Sequence, residues 1–74
     1  YITFLKCLVK ARKGAGITQV QFAERIQQTQ SFVSRCERGE RRIDVIELRV
    51  FCQAIGIPYI KFIEGLEEAI KAEG

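Results

Sequence analysis

Residues 18–39, TQVQFAERIQQTQSFVSRCERG, restrict the fold more than any other stretch of the chain. They read as two short helices joined by a tight turn. Thr18 suits an N-cap, and Gln21 three positions on completes a capping-box pattern. Val20, Phe22, Ala23 and Ile26 are expected to give the first of these helices an inward stripe, which Gln27 and Gln28 interrupt. Thr29 caps a second helix that runs to the stop signal at Gly39. At about 100° per residue around that second helix, Gln30, Ser31, Ser34, Arg35 and Arg38 share one arc of roughly 140°. Val33 and Cys36 point the other way, with Phe32 and Glu37 on the borders. The outward arc carries amides, hydroxyls and guanidinium groups and no carboxylate. Such a ridge suits a groove lined by phosphates and base edges, where Gln chelates adenine, Arg chelates guanine and Ser donates or accepts. The competing reading of the same arc is a solvated polar face.

Charge favours the first reading. Residues 1–42 hold nine Lys and Arg against three Glu, a balance of +6, whereas residues 43–74 carry −3. The positive end is the one that holds the two-helix unit, so a polyanion would orient the chain with that unit towards it. A length of 74 residues allows one domain, 1–74, close to the lower limit for folding without staples. There are three Cys, at 7, 36 and 52, and no His or CxxC pair, so no metal site is expected. Cys36 and Cys52 fall on inward stripes, as reduced thiols acting as small apolar groups in a cytoplasmic protein. No apolar run reaches the length of a membrane span, and no signal peptide or membrane partner is expected. The chain has no Met; it is expected to be processed or to be a piece of something longer, with flanking residues missing.

Around the central unit the remaining sequence predicts three more helices. Residues 1–15 form an amphipathic helix with Leu5, Leu8 and Val9, joined by Ile2 and Phe4, facing inward. Lys6, Lys10, Arg12 and Lys13 lie mostly outward, and Gly16 ends it. Lys6 and Lys10 are either solvated or set against a nucleic-acid backbone. Asp44 and Glu47 cap a fourth helix to Ile55, with Gly56 beyond its end and a core stripe of Leu48, Phe51, Cys52 and Ile55. Pro58 opens a fifth helix to about Ala72, which carries more apolar residues than one small domain can cover. Ile60, Ile63 and Ile70 are therefore candidates for a homodimer interface at helix 58–72; a missing flanking segment or a protein partner is the alternative cover. No internal repeat or linker is apparent.

TQVQFAERI, QSFVSRCERGERR and IELRVFCQAIG together resemble the Cro/phage-repressor (XRE-like) helix-turn-helix family over roughly residues 5–66. The resemblance implies an all-α, compact five-helix repressor-like DNA-binding domain with the helix-turn-helix at helices 2 and 3. It implies a bacterial or phage cytoplasmic protein that binds double-stranded DNA, without a cofactor, as a transcriptional regulator. Gln30, Ser31, Ser34 and Arg35 are the expected base readers. Thr18, Gln19, Arg38, Arg41 and Arg42 are expected at the DNA backbone, with Gln19 also bracing Gln30. Phe32 either packs on the following loop or presses a thymine methyl. Arg12 is expected to pair with Glu37 as a structural ion pair. The family usually places a Gly in the turn where this chain has Gln27, and an apolar residue at Gln28. A protein–protein module such as an antitoxin or adaptor could use the same fold. Enzymatic activity is not expected: there is no His, no nucleophile–base spacing, no paired carboxylates and no phosphate-cradling Gly loop.

Overall fold

Local signals at the helix ends set the architecture. Thr18 Oγ1 accepts from the Gln21 N–H at 3.1 Å, and the Gln21 side chain accepts from the Thr18 N–H at 2.9 Å. Asp44 and Glu47 repeat this reciprocal box, and Thr29 Oγ1 accepts from the Phe32 N–H. Each cap contributes about 1 kcal/mol by satisfying donors that a helix start leaves open. The opposite ends close by one device. Gly16, Gly39, Gly56 and Gln27 adopt left-handed φ values of 74°, 80°, 91° and 57°. The next N–H then reaches back into the last turn, Ile17 to Arg12 O, Gln28 to Ala23 O, Glu40 to Arg35 O and Ile57 to Cys52 O, at 2.9 to 3.2 Å.

The resulting order, in a computed structural model that describes residues 1–73, is α1 (Ile2–Gly14), α2 (Gln19–Arg25), α3 (Gln30–Glu37), α4 (Val45–Ile55) and α5 (Tyr59–Glu73). There is no strand among the described residues. The Cα radius of gyration, 11.6 Å, is close to the roughly 11 Å of a single compact body of this length.

Every helix contributes to one core: Leu8 from α1, Phe22 and Ala23 from α2, Val33 and Cys36 from α3, Leu48, Phe51, Cys52 and Ile55 from α4, and Phe62 from α5. Burying each large side chain contributes about 1.5–3 kcal/mol. Phe22 meets Phe51 edge-on with ring centroids 5.1 Å apart. α2 packs on α3, with the small Ala23 buried between them. Burial pushes the Cys36 and Cys52 thiols up from their ordinary pKa, in Cys36 against the pull of Arg41, so both stay neutral.

Two inward assignments and one outward one need correction; Arg12, expected mostly outward, is buried because its guanidinium turns in to Glu37 and Ile17 O. Val20 is 48% exposed: it stands about 160° around the helix from Ala23's neighbour Phe22, outside the stripe that Phe22, Ala23 and Ile26 form. Ile2 is 71% exposed, since it starts α1 on the face that carries the lysines. Phe4 is half-buried and belongs to the α1–α5 contact, its ring 6.0 Å from that of Phe62.

Candidate nucleic-acid interface

The helix-turn-helix is fastened from behind by a polar hub. Arg12 Nε and Nη2 donate to Glu37 Oε2 and Oε1 at 2.6 and 3.1 Å, and Nη1 donates to Ile17 O at 2.7 Å. Gln19 Nε2 donates to Glu37 Oε1 at 2.9 Å. One carboxylate thus ties α3 to α1 and α2, and Arg12 in turn ties α1 to the loop before α2. Both ionic side chains are only 6% exposed. In so dry a setting charges are held only where hydrogen bonds saturate them, and among the described residues no buried side-chain nitrogen or oxygen lacks a partner. The bracing of Gln30 by Gln19 is replaced here: Gln19 reaches the Glu37 carboxylate, a stronger acceptor than a neutral amide.

In front of the hub, Gln30, Ser31 and Arg35 are exposed, and among the described residues their side chains make no hydrogen bond. Their donors and acceptors are therefore uncommitted. Ser34 is half-buried, and its Oγ accepts from Arg38 Nη1 at 2.9 Å. Arg38 also grips Glu40, Nε to Oε2 at 2.8 Å. This hydrogen bond holds the Glu40 carboxyl below its usual range and raises the Arg38 guanidinium. The pair is well exposed, so water and salt screen it and a phosphate can compete for the arginine. Thr18 is exposed beside the start of α2.

The loop after α3 is stapled by its arginines. Arg41 lies over the Phe32 ring, 4.8 Å from the centroid, and pairs with Glu47 at 2.7 Å. The Glu47 carboxyl is held low, first by that hydrogen bond and then by the Asp44 N–H. Phe32 is half-buried, and its ring packs under this loop arginine. Arg42 lies 4.4 Å from the Tyr1 ring centroid, and the Tyr1 hydroxyl accepts from the Ile43 N–H. Sequence spacing carries no sign of this Tyr1 clamp, nor of Arg25 donating to Ala54 O across α2 and α4: both join residues from distant parts of the chain.

On α5, Ile60 is 64% exposed, Ile70 is exposed and Ile63 is half-buried against the core. Among the described residues no cluster of His, Cys, Asp or Glu could hold a metal, and no helix is long and apolar enough to cross a membrane.

The helix-turn-helix family profile HTH_3 matches residues 8–62, spanning the hub, α2, α3 and α4. No curated protein matches the chain. Among solved structures, an XRE-family like protein from Pseudomonas syringae pv. tomato str. DC3000 superposes with a TM-score of 0.86 at 46% sequence identity. That match covers 92% of this chain and 83% of the other. With its five helices, its braced second and third helices and these two matches, the chain belongs to the XRE-like helix-turn-helix family of DNA-binding regulators.

Proposed function

We propose that this protein binds double-stranded DNA in a sequence-specific way as a transcriptional regulator, with α3 in the major groove and α2 lying across it. The observation that carries the reading is the uncommitted, exposed trio Gln30, Ser31 and Arg35 on a helix fixed from behind by Arg12, Glu37 and Gln19. These three and Ser34 read base edges. Thr18, Gln19, Arg38, Arg41 and Arg42 contact the backbone and set register without reading sequence. Phe32, already under Arg41, keeps a loop-packing role, and a thymine methyl is the ligand its free edge would take.

The protein acts as a homodimer in this reading, with Ile60, Ile63 and Ile70 in the contact between copies. A two-fold dimer reads half-sites about 10 base pairs apart, or a multiple. Selection from a random duplex pool tests this: a two-fold-related site should emerge. Arg35→Ala should then weaken binding to it by about 1–3 kcal/mol and relax one position of each half-site. Uniform weakening on all sequences would make Arg35 a phosphate contact, and no enriched site would remove the reading.

The acidic, partly apolar α5 supports a second reading, a protein–protein module such as an antitoxin or adaptor. The two roles are compatible, since they use different helices.

A further inference from the structure

α1 and α5 follow a similar outline, with charge exchanged at two positions, Lys6 against Glu64 and Lys10 against Glu68. Laying Tyr59 on Tyr1 sets Ile60 on Ile2, Phe62 on Phe4, Leu66 on Leu8 and Ala69 on Ala11. This register comes from the residues and not from the helix bounds, since the helix starts, Ile2 and Tyr59, are offset from it by one position. Phe4 and Phe62 meet edge to face where α1 and α5 pack on each other. On α1 the outward stripe is Ile2, Lys6 and Lys10, exposed, with Leu5 and Val9 half-buried beside them. With Lys13 and Arg38 they line an open groove between α1 and the end of α3. The one carboxylate at this groove, Glu37, is already held by Arg12 and Gln19. On α5 the equivalent positions are Ile60, Glu64, Glu67 and Glu68, all exposed, with Ile63 half-buried. The three glutamates and Ile63 line a shallow depression together with Lys71.

Each stripe therefore has an apolar strip edged mainly by one sign of charge, with Lys71 the exception on α5. Two α5 faces pressed together across a two-fold axis would bring glutamates onto glutamates, and two α1 faces would do the same with lysines. Like charges in contact cost an interface several kcal/mol. α1 against α5 has neither conflict. It sets lysines against glutamates while the isoleucines of both stripes meet.

We propose that copies of this protein associate by docking α1 of one on α5 of the other, with Lys6 and Lys10 facing Glu64, Glu67 and Glu68. The apolar seam is Ile2 and Leu5 against Ile60 and Ile63. In a two-fold pair the contact is made twice, because each copy offers both stripes. Glu64 has Lys61 within 3.5 Å on its own helix, but both are well exposed and the pair exchanges readily with a neighbour's lysine. The proposal rests on reading α5 as a contact between copies, and Arg38, which lines the same groove, is the DNA-backbone residue that lies nearest to it.

The test is a charge swap, followed by sedimentation equilibrium without DNA. One variant carries Lys6→Glu and Lys10→Glu, the other Glu64→Lys and Glu68→Lys; all four sites are on the surface, and circular dichroism checks that each variant keeps its helices. Wild type should self-associate, and each variant alone should do so at least about tenfold more weakly. An equimolar mixture should recover the wild-type affinity to within about threefold, since each altered stripe then meets one of opposite charge. A wild type that stays monomeric, a lysine variant that associates like wild type, or a mixture no stronger than its parts would each overturn the proposal. Duplex binding by the same samples reports separately on α3. Its loss with charge-swap pairing intact would strike the DNA reading alone.

Discussion

Arg12 is the one charged residue that the described chain buries outright, and its place in the fold is to position rather than to glue. A buried ion pair roughly offsets its own desolvation, but half of one leaves a stranded charge. Arg12→Ala should therefore cost about 3–5 kcal/mol in urea unfolding. Arg12→Met combined with Glu37→Leu should lose much less than the single change, because no ion is left without its partner. A loss near 1 kcal/mol for Arg12→Ala alone would show that water already reaches the pair. Glu47 makes a pH-dependent contribution instead. Its pKa is held below 4.5 in the folded protein, so it binds protons more weakly there than in the unfolded chain. The stability this supplies is complete above that ordinary value and fades as pH falls through the lowered one. Glu47→Gln should flatten the acid limb of a stability–pH curve, read by thermal melts between pH 3 and pH 7, and an unchanged limb would discount the Arg41–Glu47 pair.

At the scale of elements, the turn between α2 and α3 keeps its geometry despite lacking the family's Gly. Gln27 takes the left-handed conformation that a side chain resists, and Gln28 still closes the turn onto Ala23 O. Gln27→Gly should raise stability by about 0.5–1 kcal/mol, the left-handed strain relieved less the extra entropy glycine holds when unfolded. A denaturation midpoint that falls would place another contact on the Gln27 side chain. Gly39 has less latitude, since its φ of 80° strains any side chain and an added Cβ would also press Leu5 Cδ1 at 3.0 Å. Helix ends were the most legible part of the sequence for this reason: caps and left-handed stops are local, and Thr18, Thr29, Asp44 and Gly39 announce them within four residues. The outward arc of α3 was legible from periodicity alone. Val20 and Ile2 were not, because an apolar residue in the first turn of a short helix has no register to say which way it faces. Long side chains were the least legible. Gln19 and Arg41 choose partners on other helices, Glu37 and Glu47, and spacing along one element carries no record of that choice.

Over the whole molecule, charge is divided as the elements are: +6 in the part that ends with the loop arginines and −3 in the part that holds α4 and α5. That division steers a polyanion towards the part of the chain that carries α3. It also gives the central claim a direct readout. Anisotropy titrations of the selected duplex at rising salt should show log K falling with log salt at a slope near about −5, for a dimer with three phosphate-bound arginines per copy. A slope shallower than about −2 would mean that few phosphates are neutralised and would contradict DNA binding through this face.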